Sequence, residues 1–484
     1  MKSETINPEQ FYSSNSNTIS AEHSLGSSLF QVHSKTSKKE NTKTFNPLNI
    51  ALHICTAVLM LTGAFLVYKW QSDFEQFHLD QISSGWGLPF VIVATVLFLF
   101  KSSLFFYKLY LYYNYKPVEA VSDDLLPTCT VIVPAYNEGK LVWETLQSLA
   151  DSDYPEHKLQ LLAIDDGSKD DTWYWIQQAK LKLGDRLAIF QQPENKGKRH
   201  ALHRGFKLGT GDIFVTVDSD SIVKKDTLRN LVSPFVNNEK CGAVAGNVQV
   251  LNNKAILPKM LNVSFVMSFE FIRSAESKLG SVLCTPGALA AYRRNAVFNC
   301  LSEWINQKFM GQPSDIGEDR AMTNMILKQG YNVLFQRNAY VLTNVPEAYK
   351  GLYKMFIRWG RSNVRENIAM AQYVFKNFRN ESKFGTRLLY ADQLFKIAMS
   401  YPFLIFMMIF VVLHPLLFIS STLLSILIVS SFSVFFYSKR YNFKESLWAY
   451  SYSIFYTFSL FWITPYAIAT ANKSGWLTRG LPQK

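Results

Sequence analysis

Apolar positions along this chain gather into long runs without a formal charge, at 45–68, 82–100, 397–438 and 446–472. Each run reaches the ~20 residues that an α-helix needs to cross ~30 Å of hydrocarbon. The third is long enough for two crossings, with His414-Pro415 near the expected break. The pattern predicts five spans, two within 45–114 and about three within 396–472. Buried helices of a large soluble core are the alternative, but apolar runs of this length are rare in soluble folds. Residues 1–44, rich in Ser, Asn and Thr, read as a disordered tail; the apolar run begins too late and runs too long for a signal peptide. Residues 473–484 form a short C-terminal tail.

Between the two groups of spans the period changes. CTVIVPAY, LQLLAID, LAIFQQ and DIFVTV are short apolar runs of strand length. GKLVWETLQSLA, DDTWYWIQQAKLKL and KGKRHALHRGFKLG, interleaved with them, have helical spacing. Repeated strand–helix units predict an α/β domain, a doubly wound and mostly parallel sheet, over 115–345. LPKMLNVSFVMSFEFIRS, at 257–274, and the segment 346–395 are expected to be helices lying at the membrane surface.

Charge adds orientation. The link QSDFEQFHLDQ holds three acids and no Lys or Arg, whereas Lys101, Lys108, Lys116 and the KRYNFK stretch flank other span ends. The positive-inside rule then places the middle domain in the cytoplasm of an integral, multi-pass protein of a plasma or inner membrane. The basic tail, with Lys473, Arg479 and Lys484, falls on the opposite side if five spans cross. A net charge of +13 suits an anionic membrane surface or an anionic substrate; with no nucleic-acid-binding motif, nucleic acid is not an expected partner. The five cysteines lack zinc or disulfide spacing.

Ligands of open α/β sheets bind outside the carboxyl ends of the strands. Three strands here end in acids: Glu138 after VIVPAYNE, Asp165 and Asp166 in LLAIDDGS, and Asp218 and Asp220 in FVTVDSDS. Carboxylates brought to one edge repel unless a cation or hydrogen-bond donors compensate them. A hard divalent ion, Mg²⁺ or Mn²⁺, on Asp218 and Asp220 is one solution, because such ions take one or two carboxylates plus substrate phosphates. Helix capping by the same residues is the other. NKGKRH opens a helix, so Lys196, Lys198 and Arg199 can face an anion there, or can form an ordinary solvated helix start.

VPAYNE, DDGSKDDT, NKGKRHAL, VDSDS, GALAAYRR, GEDR and RWGRS, in this order between membrane spans, resemble the processive family 2 glycosyltransferases. These include hyaluronan synthases, chitin-oligosaccharide synthases and poly-N-acetylglucosamine synthases. The likeness is good over 125–375. It implies a glycosyltransferase A-type fold, a Rossmann-like mixed sheet inserted between transmembrane helices. It also implies inverting transfer from a UDP-sugar, N-acetylglucosamine by the nearest patterns, onto a growing β-linked glycan that is moved across the bilayer.

By that resemblance Tyr136, Glu138, Asp165 and Asp166 lie around the uridine, Asp218 and Asp220 near the sugar-diphosphate with Asp220 on the metal, and Lys198 on the diphosphate. Glu318 and Asp319 supply the catalytic acids, with Asp319 the base. Gly287 lies near the acceptor, close to Cys284; Arg358 contacts the diphosphate and Trp359 stacks on the acceptor sugar. Where the family has Gln three residues before that Arg, this chain has Met355, followed by Phe356. This removes an amide beside the acceptor and keeps open a non-processive transferase acting on a lipid carrier, or a catalytically inactive scaffold. A helix whose Met355, Phe356, Ile357 and Trp359 dip into lipid is the plain reading of the same stretch. Oligomeric state has no signature.

Overall fold

The computed structural model describes residues 47–473 apart from Trp86; the expected tail at 1–44 and the residues beyond Lys473 lie outside the described residues. Three helices come first, α1 (Pro47–Lys69), α2 (Gln71–Ser83) and α3 (Gly87–Tyr113). The α/β domain then runs β1 (Cys129–Ala135), α4 (Leu141–Ala150), β2 (Leu159–Asp165), α5 (Thr172–Leu183), β3 (Leu187–Gln191), α6 (Lys198–Leu208), β4 (Ile213–Val217), β5 (Ser221–Val223) and α7 (Thr227–Asn237). It continues through β6 (Cys241–Val250), α8 (Ile256–Val266), α9 (Arg273–Lys278), β7 (Leu289–Arg293), α10 (Arg294–Ile305), a hairpin of β8 (Lys308–Phe309) and β9 (Gln312–Pro313), α11 (Glu318–Lys328) and β10 (Asn332–Thr343). Helices α12 (Tyr349–Ala371), α13 (Phe384–Ala398), α14 (Ser400–Leu413), α15 (Pro415–Arg440), α16 (Trp448–Ser459) and α17 (Ile463–Ala469) follow.

The strands form one mixed sheet in the order β3-β2-β1-β4-β7-β6-β10-β5. Strands β3, β2, β1 and β4 are parallel, as the alternation predicts, and β7 enters antiparallel between β4 and β6. Only the turn Asp218-Ser219-Asp220 separates β4 from β5, yet three strands lie between them in the sheet. A flat sheet would place them ~19 Å apart at ~4.8 Å per strand step. The four-residue path from Val217 to Ser221 reaches at most ~14 Å. The sheet must therefore curl into a half-barrel, with the Asp218–Asp220 turn across its mouth.

Among the described residues three helices are long and apolar enough to cross a membrane, α1, α3 and α15, and a fourth crossing results if α13 and α14, bent by 43° at their junction, are one span. The break before α15 falls at His414-Pro415, as the sequence predicts, because Pro supplies no N–H and starts the new helix at its first turn. The fifth expected crossing, at 446–472, has no helix of the required length: α16 has 12 residues and α17 has 7. The chain breaks at Ser459, whose carbonyl accepts from Tyr349 Oη (2.9 Å) and Trp462 Nε1 (3.0 Å). A charge-free helix buried against protein has the same composition as one buried in lipid. Here α17 packs on α12, where a Cβ on Gly360 would lie 2.7 Å from Ala467 Cβ.

The stretch at 257–274, expected at the membrane surface, is covered on both sides by protein. Leu261, Phe265 and Phe269 join the core under the sheet, and Met260, Val263, Val266 and Phe271 pack with Val434, Phe436 and Tyr437 of α15. Between α8 and α9 a π-helical turn, Met267–Ile272, presents the buried Glu270 to Arg440 Nη1 (2.6 Å), to Tyr441 Oη and to Asn247 Nδ2 (3.4 Å). On the other flank Asp392 of α13 pairs with Lys101 (2.5 Å) and Lys108 (3.0 Å) of α3.

Helix α11 begins at Gly317, whose φ of +73° is left-handed and whose Cβ, were there one, would overlap Ser362 Oγ of α12. Both constraints demand glycine: backbone conformation and close helix approach. Gly317→Ala is expected to lower the thermal midpoint of the detergent-solubilised protein. Adding Ser362→Gly should recover the steric part and leave the strain of a left-handed alanine, roughly 1–2 kcal/mol, plus the lower helix propensity of glycine in α12, roughly 0.5 kcal/mol. Equal midpoints for the single and double variants would contradict this packing.

Candidate active site

The parallel register brings the acidic strand ends level: Ala135 pairs with Asp165, Asp165 with Gln191, and Ile132 with Thr216, two residues before Asp218. Hydrogen-bond donors compensate two of these acids. Asp165, fully buried, accepts from Ser168 N (3.2 Å), from Ser168 Oγ and from Gln191 Nε2 (2.9 Å). Asp166, also buried, accepts from Gln192 Nε2 (2.6 Å), Lys196 N (3.1 Å) and Gly197 N (2.8 Å). Asp165 thus holds its own turn, and Asp166 clamps the loop that leads into α6. A Cβ at Gly167 would meet the Glu194 backbone at 2.7 Å, so the DDGS glycine allows this backbone-to-backbone contact.

Tyr136 and Glu138 stand half-buried at the end of β1. Their loop is sewn to the 168–172 loop by Glu138 N to Thr172 Oγ1 (2.8 Å), Lys169 N to Asn137 Oδ1 (2.9 Å) and Asn137 N to Ser168 Oγ (3.0 Å). Asn137 is left-handed at φ +53°, a conformation that Asn tolerates. The two loops form one rigid rim.

Lys198, in the first turn of α6, reaches across this edge. Its side chain is 10% exposed, and its Nζ is paired with Asp218 at the end of β4 and with Glu318 Oε1 of α11 (3.2 Å). Burial alone would lower the Lys198 pKa, but Asp218 and Glu318 outweigh it and raise it above the usual lysine value. Gly287 is the floor of this pair: a Cβ there would lie 2.5 Å from Lys198 Nζ and 3.6 Å from Asp218 Oδ2. Its backbone N–H donates to Asp319 Oδ2 (3.1 Å), and Cys284 Sγ lies 3.9 Å from the same oxygen. Asp218, Lys198, Gly287, Glu318 and Asp319 therefore share one cleft. Asp220, two residues on, has Oδ1 3.4 Å from Thr343 Oγ1 and from Ser221 Oγ.

The adjacent acids of α11 are driven apart electrostatically. Burial alone would push Glu318 up, but the positive charges of Lys198 and Arg358 hold it below the usual carboxylate range. Asp319 is raised, first by burial and then by repulsion from Glu318. Such a divided pair suits one permanent anion and one proton acceptor. Among the described residues no three His, Cys, Asp or Glu side chains gather as a metal site. Asp218 and Asp220 nonetheless offer the hard-oxygen donors that a divalent ion takes when diphosphate completes its shell.

Other expected residues land differently. Arg199 turns away from the cleft: it is 3% exposed, and Nη1 donates to the Trp304 carbonyl (2.6 Å), because one residue along a helix faces a different side. Lys196 is half-exposed and pairs with Glu194 at 3.4 Å. On α12, Met355 and Ile357 sit in the domain core rather than in lipid. Trp359 is 41% exposed beside Phe265 and Phe356. Arg358 is close enough to Glu318 to depress its pKa. Residues given no role by the sequence also shape the site, Tyr292 of the GALAAYRR motif among them. The Trp304 indole donates to Glu318 O (2.9 Å), and Thr285, Thr323 and Tyr292 form a buried hydroxyl cluster (2.7 and 2.9 Å) beneath the 284–287 loop. Their signal lies only in the fold.

Residues 127–362 match the family described as Glycosyltransferase like family 2. An N-acetylglucosaminyltransferase of Rhizobium meliloti is 35% identical over 250 residues, 51% of this chain and 58% of the relative. A hyaluronan synthase of Streptococcus pyogenes is 31% identical over 276 residues, 56% of this chain and 64% of the relative. The chain thus spans roughly three fifths of the length of these curated relatives. A solved mannosyltransferase of Pyrobaculum calidifontis, in complex with GDP-Man and Mn²⁺, superposes with a TM-score of 0.50 over 78% of this chain and 96% of its own, at 21% identity. With the mixed half-barrel sheet and its acidic strand ends, these matches make residues 127–362 a family 2 glycosyltransferase domain of the glycosyltransferase A-type fold.

Proposed function

We propose that this protein is an inverting, UDP-sugar-dependent membrane glycosyltransferase that adds N-acetylglucosamine to a growing β-linked glycan. The observation that carries this reading is the cleft in which Lys198 bridges Asp218 and Glu318 while the Gly287 N–H holds Asp319. The similarity to an N-acetylglucosaminyltransferase and a hyaluronan synthase supports the sugar and the polymer.

In this mechanism the uridine lies against the rim of Tyr136, Glu138 and the Asp166-clamped loop. Lys198 and Arg358 face the diphosphate. Asp319 accepts the proton of the acceptor hydroxyl as that oxygen bonds to the anomeric carbon. The anomeric carbon–oxygen bond to the diphosphate breaks, and its electron pair leaves with UDP. The backbone N–H groups of Gly287 and Arg320 hold the Asp319 carboxylate at 3.1 and 2.7 Å and orient the base before substrate arrives. Glu318 stays anionic, keeps Lys198 charged and raises Asp319. Asp218 and Asp220 would hold Mg²⁺ or Mn²⁺, which when bound supplies charge neutralisation for the departing diphosphate. The Trp359 face offers a platform for the acceptor sugar.

Four crossings, with α13 and α14 as one span, leave Lys439, Arg440 and Lys473 on the side of the 115–345 domain, which agrees with a cytoplasmic domain. Passage of the polymer beside these helices belongs to the same proposal. A second reading rests on Met355: this position faces the core and offers no amide to the acceptor, which favours a transferase adding one sugar to a lipid carrier. Sizing the product made from a radiolabelled UDP-sugar separates the two.

Asp319→Asn should reduce transfer ~10²–10⁴-fold, the usual worth of a positioned base, while UDP still binds. Undiminished transfer would remove Asp319 from the chemistry. Because its carboxylate is the active form and its pKa is raised, kcat should fall as pH drops through a value above ~3.9, the ordinary aspartate pKa. Glu318→Gln removes the repulsion and should shift that limb toward lower pH; a limb unmoved by Glu318→Gln would contradict the coupling.

A further inference from the structure

Three helices carry the proposed chemistry: α6 with Lys198, α11 with Asp319, and α12 with Arg358 and Trp359. Behind the cleft, a chain of polar side chains, buried except for the partly exposed Gln307, joins all three. Arg199 donates from Nη1 to the Trp304 carbonyl (2.6 Å) and to Gln307 Oε1 (3.0 Å). Gln307 Nε2 donates to Glu366 Oε1 (2.8 Å). Asn324 Nδ2, on α11, donates to Glu366 Oε2 (3.0 Å) and to its main-chain oxygen (3.0 Å). Tyr373 Oη donates to Asn324 Oδ1 (2.5 Å). Glu366 is 5% exposed and follows Trp359 by two turns of α12.

The hydrogen bonds of this chain have a forced direction. A guanidinium only donates, so Gln307 must turn its carbonyl to Arg199 and its amide N–H to residue 366. Asn324 must likewise donate to residue 366, because the same amide faces the Glu366 main-chain carbonyl, which only accepts. That position therefore has to accept from both sides, which a carboxylate does and a carboxamide cannot. The buried negative charge also answers the buried positive charge of Arg199 across one glutamine.

We propose that Glu366 is a positioning residue for the transfer reaction: its two carboxylate oxygens set the acceptor-side helix α12 against the base helix α11 and the lysine-bearing helix α6. The proposal rests on the transferase reading above. Its role is exercised through Arg358, Trp359, Asp319 and Lys198; Glu366 itself touches no substrate. Displacement of a reacting group by ~1 Å can cost ~10²-fold in rate. The amide at 366 should therefore appear in kcat rather than in donor affinity.

The test uses the full-length protein in lipid nanodiscs with UDP-N-acetylglucosamine, Mn²⁺ and a chitin-oligosaccharide acceptor. Glu366→Gln should lower kcat by ~10–100-fold, with UDP affinity and donor KM unchanged. The swap Gln307→Glu with Glu366→Gln restores the polarity, since the new carboxylate accepts from Arg199 and from the residue 366 amide, and should recover most of the lost kcat. Gln307→Leu cuts the same link from its more exposed end and should reproduce the loss if Glu366→Gln fails to fold. Wild-type kcat in either single variant overturns the proposal. So does a swap that recovers nothing, or a loss of kcat in Gln307→Leu that only follows the loss of folded protein. A wild-type protein that binds UDP yet transfers from no UDP-sugar refutes instead the transferase reading, a result separate from any of these.

Discussion

One buried ammonium organises the site. Lys198 Nζ stands between Asp218 and Glu318 at the mouth of a curled sheet, where three carboxylates approach one another. Without a cation at that point the charges would repel in a poorly screened environment, and the ends of β4, α6 and α11 could not converge. The loop before β7 passes close beneath, with the Cβ position of residue 287 only 2.5 Å from Lys198 Nζ. The same loop supplies the N–H that holds Asp319. Charge compensation and base orientation thus meet at one loop, and an anionic diphosphate entering the cleft meets a cation already in place.

This centre is joined to the apolar helices by polar contacts rather than by grease alone. The π-helical turn carrying Glu270 links Asn247 in the sheet to Arg440 at the end of α15, and Arg440 Nε reaches Tyr112 Oη at the end of α3 (3.2 Å). A π-turn inserts one residue and swings a side chain out of helical register, which lets a carboxylate face the span while Phe265 and Phe269 still face the sheet. On the other side α12 is pinned by Arg361 to Thr470 (3.0 Å) and by Arg365 to the Ala471 carbonyl (2.7 Å). The helix with Arg358 and Trp359 therefore contacts the base helix through Ser362 and the last apolar helix through Gly360.

Much of this was legible in advance. The strand and helix segments from Cys129 to Val217 follow the apolar period closely, because parallel strands buried on both faces are continuous apolar runs. Of the cleft, Asp218 was reached as the end of a parallel strand and Lys198 as a basic helix start, whereas Gly287, Glu318 and Asp319 were reached through the resemblance to family 2 glycosyltransferases. Asp165 and Asp166 are compensated by backbone and amide donors, and nothing in the DDGS string distinguishes that from exposure to a ligand. Arg199 is buried against Trp304 and Gln307 beside Lys198 rather than lining the cleft with it, a consequence of helix phase against a particular core.

The order of apolar and polar residues by itself determined which segments are strands, which are helices, where acids meet at the sheet edge and which runs are apolar enough for lipid. These are local properties, set by burial periodicity and charge within a few residues. Only the tertiary structure decided that β7 enters antiparallel, that the sheet curls under the Asp218–Asp220 turn, that α16 and α17 are too short to cross, and that Glu366 must accept from two helices at once. Each of those depends on which distant surface a segment packs against, and composition is blind to whether an apolar face is covered by hydrocarbon or by protein.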